Sequence, residues 1–207
     1  MAYPVTVSVT PMLANRNRLT TGFRLILAIP HLILVGGVGV LAYSRRDVGT
    51  SIGGENGVLG FVALLLAIVS WVTIVIGGTH IVAIRQFTTF YMRWRVRALA
   101  YLMLLEDAYP PFGDAPYPAS CDVVDPAARD RLTVAFRIIL AIPHFIVLFF
   151  LLFAWWITTV VAWFAILFTG EYPRTLCDFS LGVFRWFIRV EAYMLLLVDE
   201  YPPFSLD

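Results

Sequence analysis

The sequence predicts an all-α integral membrane protein built from two tandem repeats. Of its 207 residues 60% are hydrophobic and 14% are charged, whereas soluble domains are about 45–50% apolar and about 25% charged. Several apolar runs approach or exceed the roughly 20 residues that a helix needs to cross a bilayer. Long stretches of the chain also occur twice, which predicts a duplicated fold.

The duplication is visible in two pairs of segments. RLTTGFRLILAIPH (18–31) matches RLTVAFRIILAIPH (131–144), a displacement of 113 residues. RWRVRALAYLMLLEDAYPPF (93–112) matches RWFIRVEAYMLLLVDEYPPF (185–204), a displacement of 92. We therefore divide the chain into repeat one, 1–114, and repeat two, 115–207. The two displacements differ by 21 residues, which indicates an insertion in repeat one around 44–57.

These motifs carry a resemblance to a known family. The paired LAIPH segments, WFAILFTGEYP (163–173) and the pattern RWxxRVxAYxLLLxDxYPPF resemble the bacterial membrane family named domain of unknown function 4389. Repeat one departs from it where IGGTHIVAI (76–84) stands in place of FTGEYPRTL (168–176). The resemblance covers nearly the whole chain and implies a multi-span membrane protein. It implies no particular activity and no catalytic residues.

Each repeat begins with a segment that alternates like a strand. YPVTVSV (3–9) places valine at every second position, the period of a half-buried strand. We expect it to pair with the segment 117–124 of repeat two.

Two membrane spans are predicted for each repeat. In repeat one they cover 23–43 and 58–76. In repeat two the apolar run 136–169 would be roughly 51 Å long as a single helix, more than the hydrocarbon core of about 30 Å. We therefore predict a tight hairpin with spans 136–152 and 157–169, turning next to Trp155 and Trp156, because tryptophan favours the membrane interface.

A third helix follows each pair, at about 88–105 and 175–198, and we interpret it as an interfacial amphipathic helix. Its arginines are candidates for contact with lipid headgroups: Arg93, Arg97, Arg185 and Arg189. This topology gathers thirteen of the fifteen arginines on one side, the positive-inside pattern. It predicts cytoplasmic termini, a pseudo-two-fold axis along the membrane normal, and an extracytoplasmic loop at Ser44–Gly57.

One polar stripe occurs twice within the apolar segments. Its members are candidates for binding a lipid or another anion: Arg24, His31, Arg137 and His144. Each histidine follows a proline, Pro30 or Pro143, and we expect the stripe to face inward because ionisable groups in membranes face protein or water. Three interpretations stand: structural hydrogen bonding with snorkelling arginines, a shared site for phosphate or carboxylate, or a metal or catalytic centre.

No motif for catalysis or metal binding occurs in the sequence, so we expect no catalytic residues, no metal and no cofactor. The net charge of +1 gives no sign of nucleic-acid binding. We interpret the chain as a multi-pass protein of the bacterial cell membrane, a non-enzymatic scaffold or accessory subunit. Its expected partners are membrane lipids and a membrane protein or a second copy. The alternatives are a small transporter or flippase at the repeat interface and a membrane enzyme acting on lipid.

Overall fold

The computed structural model describes residues 3–38, 57–126 and 129–207. The order of elements is β1 (Val5–Val9), α1 (Arg18–Gly22), α2 (Arg24–Val35), α3 (Gly57–Gly77), α4 (Val82–Leu102), β2 (Ala119–Val123), α5 (Arg131–Ala135), α6 (Arg137–Thr169) and α7 (Arg174–Met194). Two of these helices, α3 and α6, are long and apolar enough to cross a membrane. The part of the chain that the structure describes is mostly helical, as expected.

The predicted hairpin in repeat two is wrong, because α6 is a single helix of 33 residues. No glycine, asparagine or aspartate lies between Arg137 and Thr169 to form a turn, and the helix continues through Pro143. Trp155, expected at an interfacial turn, is fully buried and packs against Phe184 with ring centroids 6.0 Å apart. An apolar run longer than a bilayer is thick therefore folds here as one continuous helix.

In repeat one, α2 and α3 together reproduce this long helix. The indole of Trp163 in α6 donates to the carbonyl of Thr21 at 2.9 Å, and that of Trp71 in α3 donates to the carbonyl of Val134 at 3.0 Å. Positions 134 and 163 are about 44 Å apart along a helix, so α2 and α3 must run end to end to reach both. Their 12 and 21 residues equal the 33 of α6. We call α2 with α3 the first rod and α6 the second rod; the two run antiparallel.

The insertion therefore interrupts a long helix and lies between Val35 and Gly57. At Gly57 the chain enters α3 with a φ of +67°, and a Cβ there would lie 2.6 Å from the Leu34 carbonyl. Only glycine fits so close an approach at positive φ. The predicted loop Ser44–Gly57 lies, apart from Gly57, outside the described residues.

Helices α4 and α7 form where the third helices were predicted, but they are core elements. Every residue from Trp94 to Leu102 is buried, and α7 packs along α6. An interfacial helix would leave one face to lipid headgroups. The interfacial position of these two helices is therefore not confirmed: Arg95 and Arg97 of α4 contact other parts of the protein, whereas Arg174 of α7 is exposed.

The predicted strands are confirmed, and their pairing locates the symmetry axis. Strands β1 and β2 are antiparallel, with Val7 opposite Cys121 at the centre of the register. Each strand packs on the last helix of the other repeat, β2 on α4 and β1 on α7. Matching hydrogen bonds join Tyr3 to the Glu200 carbonyl and Tyr117 to the Ala108 carbonyl. The two repeats are thus interlocked around a pseudo-two-fold axis that passes through the sheet.

Candidate functional site

Arg24, the first residue of α2, is buried in a clamp formed by its own repeat. One Nη donates to the carbonyls of Tyr101 and Glu106 at 2.8 and 2.7 Å. The other contacts the Asp107 carboxylate at 2.5 Å, and the guanidinium lies 4.4 Å from the centroid of the Tyr101 ring. Arg24 therefore binds the C-terminal end of α4, where the last carbonyls of a helix lack partners.

The backbone at this helix end explains why the carbonyls point at the arginine. Leu104 follows α4 with a φ of +65°, and the amide of Leu105 donates back to the Ala100 carbonyl at 2.9 Å, as in a Schellman cap. A second arginine, Arg16, donates to the Leu104 carbonyl and contacts Asp107, both at 2.7 Å. Asp107 thus balances two buried guanidinium groups.

Repeat two builds the same clamp with equivalent residues. Arg137 donates to the carbonyls of Tyr193 and Val198 at 2.6 and 2.9 Å and contacts Asp199 at 2.8 Å. Arg129 joins that carboxylate at 2.9 Å, and Leu196 has a φ of +61°. Asp107 and Asp199 are the aspartates of the repeated DxYPPF pattern, which gives no sign of these arginine partners.

The two histidines face inward, as expected, and each is held by aromatic groups. The indole of Trp94 donates to Nδ1 of His31 at 3.0 Å, and Phe112 stacks on the imidazole at 4.5 Å. Trp186 and Phe204 hold His144 in the same way at 3.1 and 4.1 Å. Because Nδ1 accepts a hydrogen bond, the proton of the neutral imidazole lies on Nε2.

The structure does not bring the two stripes together. Arg24 begins the first rod and Arg137 begins the second, and because the rods are antiparallel these arginines lie at opposite ends of the molecule. A single central anion site shared by Arg24, His31, Arg137 and His144 is therefore not assembled. Lipid binding by either stripe alone stays a prediction.

The headgroup candidates differ between the repeats. Arg97 donates to the Gly113 carbonyl at 2.7 Å and contacts Asp114 at 2.6 Å, and Arg93 contacts the same carboxylate at 3.4 Å. Arg185 and Arg189 make no hydrogen bond or ion pair with any residue in the described ranges; the guanidinium of Arg189 lies 6.0 Å from the Tyr3 ring.

A buried ion pair that sequence reasoning missed joins the repeats near the axis. Arg95 of α4 contacts Glu191 of α7 at 2.7 Å and donates to the carbonyls of Val35 and Gly37. Those carbonyls lie where the insertion interrupts the first rod. Repeat two, whose rod is continuous, has Phe187 at the position of Arg95, and repeat one has Leu99 at that of Glu191. The sequence signal for this ion pair is that the two repeats carry unlike residues at both positions.

An apolar cavity of about 340 Å³ opens where α6 passes the beginning of the first rod. Repeat one lines it with Leu25 and Leu104, and α6 with Trp156, Val160 and Phe164. Arg24 also reaches the cavity, but both of its Nη groups are engaged in the clamp. The free surface of the cavity is therefore mostly apolar, and we call it the seam cavity.

His80 lies after the first rod among charged residues of both repeats. The pKa of its imidazole is lowered to about 4, mainly by burial and further by the charges of Arg129 and Arg85, against the opposing effect of Asp125 and Asp199. Both ring nitrogens are buried without a hydrogen-bond partner among the residues described. Over the same part of the chain, no three histidine, cysteine or acidic side chains cluster as a metal site would.

The comparison with known families agrees with the duplication. The family described as Domain of unknown function (DUF4389) matches residues 56–113 and again residues 131–205. The first match begins where the chain re-enters the first rod, after the insertion. No curated protein and no solved structure matches the chain.

Proposed function

We propose that this chain, which belongs to the DUF4389 family, is a non-enzymatic membrane scaffold that holds lipid in the seam cavity. The observation that carries the proposal is an open apolar cavity flanked by rods with exposed apolar faces. Large side chains along both rods are exposed, among them Phe61, Leu65, Phe149, Phe153 and Phe168. Membrane lipid is the partner that covers such surfaces, and a membrane protein or second copy is an additional one.

The position of the sheet supports an orientation in one leaflet. The pseudo-two-fold axis passes through the sheet, so the sheet lies level with the middle of both rods. If the rods crossed the bilayer, the exposed Thr6 and Ser8 and the 72% exposed Asp122 side chain would lie near its midplane. Unpaired strand edges and carboxylates are costly there.

Rods that lie parallel to the membrane avoid this cost. Their apolar sides then contact acyl chains, as interfacial helices do, and the sheet faces water. The arginine clusters at both rod ends come to one side, which is the cytoplasmic side by the positive-inside rule. We therefore propose a cell-membrane protein embedded in the cytoplasmic leaflet with both termini cytoplasmic, in place of the four spans expected from sequence.

A transporter or flippase at the repeat interface is the weaker alternative. Such a protein would have to move one repeat against the other. The exchanged strands, each of which packs on the last helix of the other repeat, and the Arg95–Glu191 pair oppose that motion. No contact among the described residues favours the enzyme alternative over either of these.

Filling the seam cavity tests the proposed function. Val160 lines the cavity, whereas its neighbour Val161 points outward and is 51% exposed. We expect Val160→Phe to lower the lipid retained per protein after purification in mild detergent, measured by mass spectrometry, and Val161→Phe to leave it unchanged. Equal lipid retention by wild type and both variants would contradict the proposal.

A further inference from the structure

Both repeats carry an equivalent pair of arginines on their last helix, but the two pairs differ in their acidic partners. This difference points to a candidate site for an anion. In repeat one, Arg93 and Arg97 lie one helical turn apart and share the carboxylate of Asp114, at 3.4 and 2.6 Å. Asp122 lies 3.9 Å from Arg93. The guanidinium groups of repeat one are therefore neutralised by the chain itself.

The equivalent arginines of repeat two, Arg185 and Arg189, lack both carboxylates. Leu206 occupies the sequence position of Asp114, and Ser8 that of Asp122. Asp178 contacts Arg174 at 3.9 Å. The charge of Asp207 acts on Arg189, but its carboxylate accepts a hydrogen bond from Ser205 at 2.9 Å and forms no ion pair with either arginine among the described residues. Within the described residues, neither Arg185 nor Arg189 shares a carboxylate in the way that Arg93 and Arg97 share Asp114.

The backbone after the two proline straps explains the divergence. Gly113 has a φ of +90°, which glycine adopts without strain and which turns Asp114 back towards Arg97. Ser205 replaces that glycine, and its successor Leu206 packs against Gly182 of α7. The side chain of Leu206, which stands at the position of Asp114, therefore packs on α7 and does not occupy the place that the Asp114 carboxylate has in repeat one.

The charge of the pair is unfavourable without a counter-ion. Burial lowers the pKa of Arg189, and the neighbouring charge of Arg185 lowers it further, against the weaker opposing effects of Tyr3 and Asp207. Tyr3, whose ring lies beside Arg189, is itself fixed by its hydrogen bond to the Glu200 carbonyl. A bound anion would take the role that Asp114 has in repeat one.

We propose that Arg185 and Arg189 bind a phosphate-type oxyanion, either free or in a lipid headgroup, in the place that the Asp114 carboxylate occupies in repeat one. Two guanidinium groups one turn apart offer several donors to such an oxyanion, and hydrogen bonds between ionised groups are among the stronger ones. This inference does not depend on the seam cavity.

The test uses the full chain in detergent and titrates it with inorganic phosphate by calorimetry. Arg185→Gln/Arg189→Gln should weaken binding about tenfold or more. The variant Ser205→Gly/Leu206→Asp grafts the Gly-Asp of repeat one and should weaken binding as much, because the chain then supplies the anion. The graft removes neither arginine, so it tests the site even if the arginine variant fails to fold.

The reciprocal change provides the matched control. Asp114→Leu frees Arg93 and Arg97 and should add a second phosphate site without changing the first.

Pelleting with vesicles of phosphatidylglycerol or phosphatidylcholine distinguishes a lipid headgroup from free phosphate as the bound anion. Competition of inorganic phosphate with pelleting identifies the headgroup as a ligand, and equal pelleting with both kinds of vesicle identifies free phosphate. Equal phosphate binding by wild type, the arginine variant and the graft would overturn the inference.

Discussion

At the residue scale, the stability of the fold depends on carboxylates that each balance two buried arginines. Arg24 and Arg137 are 1% and 2% exposed, and a buried charge without its partner is costly. The arginines hold the ends of α4 and α7, so each rod is fastened to the last helix of its own repeat. Loss of one carboxylate should therefore loosen a helix end as well as an ion pair.

Asp107→Asn and Asp199→Asn should each destabilise the protein by about 3–5 kcal/mol, because two buried guanidinium groups lose their counter-charge. The measurement is thermal melting in detergent. Asp178→Asn is the matched control, since its carboxylate is 67% exposed and 3.9 Å from Arg174, and it should have almost no effect. Melting of Asp107→Asn at the wild-type temperature would contradict the clamp.

A second prediction concerns pH. The pKa of His80 falls from 6.5 to about 4 on folding, so between these values the unfolded chain binds more protons. Stability should therefore be lost as the pH falls from 6.5 towards 4. His80→Tyr, which introduces the residue of the equivalent position Tyr172, should flatten the dependence of the melting temperature on pH in that window. An unchanged slope in the variant would rule out His80 as its source.

The residues of these sites were only partly predictable from sequence. The period of the helix places Arg24, Ala28 and His31 on one face, and all three are buried. Their partners Asp107 and Trp94 lie 83 and 63 residues away, and no local pattern encodes such a pairing. The inward face could be inferred; what it contacts required the fold.

At the element scale, particular residues stabilise the interruption of the first rod. Gly57 permits the close return of the chain, and Arg95 binds the carbonyls that the interruption leaves free. The sequence correctly indicated a 21-residue insertion, but it could not indicate that the insertion divides one helix rather than lengthening a hairpin loop. Both arrangements have the same length and hydropathy.

Gly57→Ala should destabilise the protein by about 1–3 kcal/mol, because alanine at φ +67° is strained and its Cβ meets the Leu34 carbonyl. Gly77→Ala at the other end of α3, where the nearest atom to a new Cβ is Thr79 Oγ1 at 3.8 Å, is the control and should be neutral or stabilising. Detergent melting curves compare the two. Equal tolerance of both substitutions would contradict the close return.

Deletion of residues 36–56 should join α2 to α3 as in α6. The Val35 carbonyl would then bond within the helix and Arg95 would lose its acceptors, so the deletion alone should lower the melting temperature. Adding Arg95→Phe and Glu191→Leu, the residues of the other repeat, should restore most of the loss because a buried ion pair is replaced by apolar packing. If the two substitutions lower stability further, the rods are not equivalent.

At the scale of the whole molecule, duplication and composition indicated a membrane protein with two-fold symmetry, and the structure adds the antiparallel rods and the exchanged strands. Sequence reasoning counted arginines on the assumption that each apolar run crosses the bilayer. In the structure arginine clusters lie at both ends of each rod. In the orientation proposed above, with the rods in the membrane plane, these clusters come to one side, in agreement with the positive-inside rule.

The most direct test of this orientation is labelling of single cysteines in intact cells, in a background with Cys121→Ala and Cys177→Ala. The exposed positions Ala14 and Thr79 mark opposite ends of the first rod, and Thr6 marks the sheet. We predict that Ala14→Cys, Thr79→Cys and Thr6→Cys are all protected from a membrane-impermeant maleimide and are all labelled after permeabilisation. Labelling of Ala14→Cys or Thr79→Cys, but not both, in intact cells would mean that the rod crosses the membrane and would contradict the account.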